Sequence, residues 1–280
     1  MDLSFNLTSN DEKFYLKDGI NKNIRNDGRI RNQYRELEIF PDIISSSMGS
    51  SRVKLGGNDI VVSVNGELCI PSRSSPESGL IDFVIDFSPD ASDTLNFYHG
   101  DTYSDEIMKV LRNVYNSADL KSLCVIPGVK CWKLNTTILV LFAGGCLYDA
   151  ISFAMKVALR RLKLPRVTVT DMDAGTWNYT ISEDEVETIN PHVYDVPNII
   201  TFVKIGSVFL IDPTFEEELC NLFVVVVSVS SSGNIMHVVK EGAGCLRPRT
   251  MMKLFQDASV IGRKIEDQFK QADKTYSLVK

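Results

Sequence analysis

Hydrophobic positions along this chain recur with two different periods, and the switches between them mark the elements. Glu36–Ile43, Ser51–Leu55, Ile60–Ile70 and Gly79–Phe87 carry apolar and β-branched residues in the two-residue period of strands. Gly56-Gly57-Asn58-Asp59, between the second and third, suits a hairpin turn. From Ser104 the period lengthens. Ile107, Val110, Leu111 and Val114 recur at i, i+3, i+4 and i+7, one face of an amphipathic helix. Pro127-Gly128 punctuates the chain, and a long strand over Lys130–Ala143 runs through Gly144-Gly145 into a second helix. That helix buries Ala150, Ile151, Ala154, Val157, Ala158 and Leu162, and is expected to display Lys156, Arg160, Arg161 and Lys163 near its C-terminal end, where cations suit the dipole.

Toward the N-terminus, Ser9-Asn-Asp-Glu12 reads as a capping box that opens a short helix stopping near Gly19. A polar, basic stretch follows to Arg35. Residues 171–197 are polar, with Gly175, Pro191 and Pro197, and read as a link. Ile199–Ile205 with Ser207–Ile211, and Leu222–Val229 with Ile235–Val239, read as hairpins. A last helix from about Pro248 buries Met251, Leu254, Phe255, Ala258, Ile261, Ile265 and Phe269. Each half has strands first and helices later, which predicts an α+β fold. The expected division is an N-terminal extension over 1–23, a first unit over 24–166, a link over 167–197 and a second unit over 198–280. A length of 280 residues agrees with about two domains.

Composition changes this picture little. At 44% hydrophobic and 24% charged residues, a disordered chain, a collagen and a coiled coil are excluded. Lys plus Arg total 30 against 36 Asp plus Glu, so the net charge is −6 and nucleic-acid binding needs a local basic face or partners. The apolar runs Ile138–Gly145 and Leu222–Val227 fall short of the ~20 residues of a membrane helix. The acidic start, MDLSFNLTSNDEKF, lacks the basic and apolar blocks of a signal peptide, and a soluble intracellular protein is expected. The six cysteines form no CxxC pair and mostly sit in apolar segments, so they are expected to be reduced, buried thiols. The three histidines are scattered, and neither a metal site nor a cofactor is expected.

Two local features bear chemistry. In the strand–Gly144-Gly145–helix turn, backbone amides can approach a ligand at a helix N-terminus, which is a phosphate cradle in outline. The residues that follow, Cys146, Leu147, Tyr148 and Asp149, supply no cation, and Asp149 in the first turn would itself use the dipole. Close packing of the turn is the favoured reading. The second feature is Asp212-Pro-Thr-Phe-Glu-Glu-Glu218 directly after a strand, which can hold a metal, act as a general acid, or be a solvated turn. The last is the plainer account. Arg25, Arg29, Arg31 and Arg35, with Arg52 and Lys54, can meet RNA phosphates or simply be surface charge.

These residues also carry a family resemblance. Asp27-Gly28-Arg29 with Arg35 resembles the "DGR…R" opening of RNase PH-like proteins, and Gly49–Gly56 followed by Asp59–Val62 resembles their first hairpin. Within that family, Ser122–Gly128, Cys131-Trp132 and Gly144–Ser152 are most similar to a non-catalytic type of exosome ring subunit. Active relatives read "GGTR" at the turn, where Thr and Arg hold the inorganic phosphate that attacks the RNA 3′-terminal linkage. Those positions fall on Cys146 and Leu147, and Leu147 offers no charge-assisted fork. Asp212 and Glu218 stand at the family's two acidic positions, with Glu218 one methylene longer than the usual Asp.

The resemblance implies a ribosomal-S5-domain-2-like first domain and an RNase PH C-terminal second domain. It further implies a silent scaffold with Gly144, Gly145, Cys146 and Leu147 as phosphate-site remnants and Asp212 and Glu218 as acidic remnants. The expected partners are an active-type RNase PH-like subunit in a heterodimer, the other members of a six-membered ring, cap proteins, and RNA in 3′–5′ processing and degradation. Arg112, Arg52 and Lys54 are the RNA-contact candidates. Residence in the nucleus, its nucleolus and the cytoplasm follows from the same resemblance. An active phosphorolytic 3′–5′ exoribonuclease and a stand-alone RNA-binding module are the alternatives.

Overall fold

The computed structural model describes residues 9–92, 103–116, 119–172, 176–181, 188–189 and 196–279. Helix α1 (Asn10–Asn21) opens on the expected capping box: the Ser9 hydroxyl accepts from the Glu12 amide at 3.2 Å, and the Ser9 amide donates to the Glu12 carboxylate at 2.6 Å. The first unit is a six-stranded sheet of β1 (Leu37–Pro41), β2 (Gly49–Leu55), β3 (Asn58–Cys69), β4 (Leu80–Phe87), β5 (Cys124–Ile126) and β6 (Lys130–Phe142). Its order is β1-β2-β3-β6-β4, with β5 also paired to β6. All pairs are antiparallel except β4 with β6. The two-residue period sets its faces: Val53, Leu55, Ile60, Val62, Val64, Leu134, Ile138 and Val140 point into the core.

Helix α2 (Tyr103–Tyr115) packs its predicted stripe, Ile107, Val110, Leu111 and Val114, against this sheet. Helix α3 (Leu147–Arg160) is buried on every side from Leu147 to Leu159, because it lies between the sheets of the two units. This overturns the expected display of Lys156. Its side chain is fully buried and its ammonium sits 2.6 Å from Glu266, which the C-terminal helix lays over α3; Arg160 pairs with the same carboxylate.

Short pairs follow, β7 (Leu164–Pro165) with β10 (Thr188–Ile189), and β8 (Val167–Met172) with β9 (Thr176–Ile181). The segment read as a link thus contains a hairpin, in register from Val167↔Ile181 to Met172↔Thr176. The alternation Val167-Thr-Val-Thr170 is the local signal for the first of these strands, and Gly175 and the prolines mask it. Residues 173–175, 182–187 and 190–195 of that link lie outside the described residues.

The second unit is a four-stranded antiparallel sheet of β11 (Asn198–Ile205), β12 (Val208–Ile211), β13 (Phe223–Val229) and β14 (Ile235–Gly242), ordered β12-β11-β13-β14. One helical turn, α4 (Phe215–Glu218), joins β12 to β13, and α5 (Pro248–Val279) closes the chain. Phe153 of α3 meets Phe269 of α5 edge-on at 5.7 Å, and both are buried. The N-terminal extension does not stand apart. Leu16 and Ile20 of α1 pack with Val203, Ile205, Leu210 and Cys220 of the second unit. No helix among the described residues is long and apolar enough to cross a membrane.

Candidate functional site

Three stretches distant in sequence converge where the units meet: the segment 25–35, the turn 144–146, and the end of β12 with α4. Asp212 stands at the centre, fully buried and with a left-handed φ of 45°. Its carboxylate accepts from Arg29 Nη1 at 2.9 Å, from Arg35 Nη2 at 2.7 Å and from the Arg35 backbone amide at 2.7 Å. Arg35 also donates Nη1 to the Gly144 carbonyl at 2.6 Å and Nη2 to the Gly145 carbonyl at 2.8 Å. Alongside, Arg25 is 3% exposed. It forms a fork to Glu217 at 2.9 and 2.5 Å and donates to the Asp212 carbonyl at 2.8 Å.

The expectations of a solvated acidic turn and of surface arginines are therefore both corrected. Asp212 and Glu217 are buried counter-ions, Arg25 is buried with them and Arg29 and Arg35 largely so, because a charge taken from water persists only when paired and hydrogen-bonded. Arg31 is spent on the C-terminal end of α1, donating to the Ile20 and Asn21 carbonyls.

The glycine turn is packed shut. A Cβ on Gly144 would lie 2.8 Å from the Gly57 backbone, and one on Gly145, whose φ is +89°, 2.7 Å from the Phe215 amide nitrogen. Asn58 staples the turn from the hairpin: its Oδ1 accepts from the Gly144 amide at 2.7 Å and its Nδ2 donates to the Gly145 carbonyl at 2.5 Å. Cys146 caps α3 in the left-handed region, with φ 58°. Its amide, the donor that would greet an incoming anion, already bonds the Glu218 carboxylate at 2.6 Å.

The side chain of Leu147 is 2% exposed and belongs to the core. Asp149 does not serve the dipole as anticipated. It accepts from Thr201 Oγ1 at 2.5 Å, from the Thr201 amide at 3.2 Å and from the Tyr34 hydroxyl at 2.6 Å. Burial pushes both Glu218 and Asp149 up to about 7, against their hydrogen-bond donors, with the nearby Asp212 carboxylate adding to the rise. Asp212, Glu217 and Glu218 are each met by a protein donor, while the buried Nη2 of Arg29 has no hydrogen-bond partner. The site's geometry ties the two units together, and an anion approaching the Cys146 amide would have to displace Glu218.

The three RNA-contact candidates do not converge. Arg52 and Lys54 lie on β2, where Arg52 forms a fork to Asp59 at 2.8 and 2.6 Å and Lys54 is in register with the same Asp59. Arg112 is half-exposed on α2, 3.6 Å from Asp82 of β4. Strands β2 and β4 are three neighbours apart, a separation of about 14 Å. Sequence reasoning missed the pairing of Arg25 with Glu217 and the staple by Asn58. The only signals available were an Arg just ahead of Asp27-Gly28-Arg29 and an Asn within Gly56-Gly57-Asn58-Asp59.

The chain matches domain 1 of the 3′ exoribonuclease family over residues 33–165 and domain 2 of that family over residues 195–259. Together with the relatives below, this places it: the chain belongs to the RNase PH-type 3′ exoribonuclease family. It is 30% identical to exosome complex component Rrp42 of Methanothermobacter thermautotrophicus, over 93% of each chain. It is also 30% identical to exosome complex component Rrp42 of Thermococcus kodakarensis, over 89% of this chain and 90% of that one. Among solved structures it resembles a chain of an archaeal exosome core, with a TM-score of 0.71, 25% identity, and coverage of 92% and 96%. It also resembles a chain of the Archaeoglobus fulgidus exosome with RNA bound to the active site, with a TM-score of 0.74, 27% identity, and coverage of 92% and 97%.

Proposed function

We propose that this chain is a catalytically silent ring subunit of an RNA exosome, a scaffold for RNase PH-like neighbours in 3′–5′ RNA processing and degradation. One observation carries the silent assignment: the Cys146 amide at the start of α3 is held by the Glu218 carboxylate, and the next side chain, Leu147, is a core residue. Phosphorolysis brings a phosphate dianion against an RNA phosphodiester. That encounter needs preorganised cations and donors, each worth on the order of 3–4 kcal/mol of barrier. Here the nearby guanidiniums of Arg29 and Arg35 are balanced by two carboxylates, Asp212 between them and Asp27 on Arg29. The subunit role rests on the likeness to exosome components over most of the chain. An active-type partner, cap proteins and residence in nucleus, nucleolus and cytoplasm go with that role.

The test uses purified protein, alone and co-expressed with an active-type RNase PH-like subunit, on 5′-labelled single-stranded RNA with and without inorganic phosphate. The expected result is co-elution with the partner and no phosphate-dependent shortening by this chain alone. Shortening by this chain alone, abolished by Asp212→Asn, would overturn the silent assignment.

A further inference from the structure

Three cysteines lie in one row across neighbouring strands. The register sets Cys69 of β3 opposite Cys131 of β6, and Cys124 of β5 opposite Cys131 on its other side. The Cys69 and Cys131 sulfurs are 3.5 Å apart, whereas the Cys124 sulfur turns toward the Pro76 carbonyl at 4.0 Å. Cys131 is fully buried, and Cys69 is partly open to solvent. No group of three His, Cys, Asp or Glu among the described residues is placed to share a metal ion, so the row is a matter of thiol chemistry.

We propose that Cys69 and Cys131 are a modification site, closing to a reversible disulfide when the protein meets a hydroperoxide. The Cys69 sulfur attacks the peroxide and breaks its O–O bond, leaving a sulfenic acid on Cys69 and releasing the alcohol, or water from hydrogen peroxide itself. The Cys131 sulfur then forms the S–S bond while the Cys69 hydroxyl departs with the Cys131 proton as water. Two thiols give up two electrons, and the peroxide takes them.

The geometry assigns the roles. Of the pair, Cys69 is the one oxidant can reach, since Cys131 is fully buried. Cys131 is held as a neutral thiol, pushed up to about 12 by burial and by its neighbour Cys69, so it is inert to peroxide in bulk yet adjacent to the sulfenic acid when that forms. Directly opposed antiparallel residues have Cβ atoms about 4.5–5.5 Å apart. A disulfide asks for about 3.5–4.5 Å. The closure is therefore about 1 Å, and it falls on the last residue of β3, where the ladder ends and Ile70 leads into an exposed segment.

The experiment treats the full chain with stoichiometric hydrogen peroxide and maps thiols and linked peptides by mass spectrometry without reductant. The expected product is a Cys69–Cys131 link, with two of the six free thiols lost and restored by dithiothreitol. Cys124→Ser should leave that link unchanged, and Cys131→Ser should trap a sulfenic acid on Cys69 for dimedone. A Cys124–Cys131 link, overoxidised Cys69 beside free Cys131, or no thiol loss in the unaltered chain would each overturn the proposal. That mapping decides it even where Cys131→Ser fails to fold.

Discussion

Replacing Asp212 by Asn tests the interdomain clamp most directly. The substitution keeps the size of the side chain, and Asn tolerates the left-handed backbone at φ 45°, so it isolates the charge. Removing one partner of a buried ion pair costs about 3–5 kcal/mol, mostly through the charges left behind. Arg35 keeps its bonds to the Gly144 and Gly145 carbonyls and Arg29 keeps Asp27 at 2.6 Å, which favours the lower end, about 3 kcal/mol. With a urea dependence of about 3 kcal/mol per molar, the unfolding midpoint should fall by about 1 M. The assay is equilibrium denaturation followed by tryptophan fluorescence. Asp212→Ala serves as a companion, and should lose about 1 kcal/mol more to backbone strain. An unchanged midpoint for Asp212→Asn would refute the idea that this carboxylate holds the arginines.

Three further outcomes are expected. The double variant Cys146→Thr, Leu147→Arg, which restores the active-type pair, should release no nucleoside diphosphate from RNA, because Glu218 still holds the helix amide; it should also melt lower, since position 147 is a core position. Phosphate-dependent shortening of RNA by that variant would count against the filled-turn account. Glu218 sits above the ordinary carboxylate range, at about 7, so its contribution to stability is complete below about pH 4.5 and is lost as pH rises through about 7. Wild type should therefore lose stability relative to Glu218→Gln across that window, by at most about 1.4 kcal/mol per pH unit in paired denaturation curves. Glu266→Gln strands the buried Lys156 ammonium and should cost about 3–5 kcal/mol, whereas a loss below about 1 kcal/mol would mean that Arg160 and Lys156 find other partners.

The sequence disclosed the parts of this fold whose causes are local. Ser9 and Glu12 cap one another three residues apart, the stripe from Ile107 to Val114 is a helix face, and the β-branched run at 59–64 is an inner strand. Where the cause is tertiary, local reasoning failed. Lys156 reads as a solvent-facing cation until Glu266, 110 positions later, is laid across it. Asp212 and Glu217 read as a wet turn because nothing nearby shows that Arg25, Arg29 and Arg35 come to meet them. The positive backbone angle at Cys146, which aims its amide at Glu218, is equally silent in a Cys codon position with no glycine to announce it. Resemblance to a family located the turn and the acids, and only the fold showed that Glu218 occupies the turn's helix amide while Asp212 is held by Arg29 and Arg35.

The clamp also has a consequence in time. Arg25 and its partner Glu217 are 192 positions apart, and α1 rests on strands that the ribosome makes near the end. While the chain is being synthesised, the first unit emerges with Arg25 and Arg35 lacking their carboxylates, Arg29 holding only Asp27, and one side of α3 uncovered. Maturation must then wait for the second unit, and a nascent chain stalled before Asp212 would present a basic, apolar surface to chaperones and proteases. The N-terminal segment of this protein is finished only by its second unit.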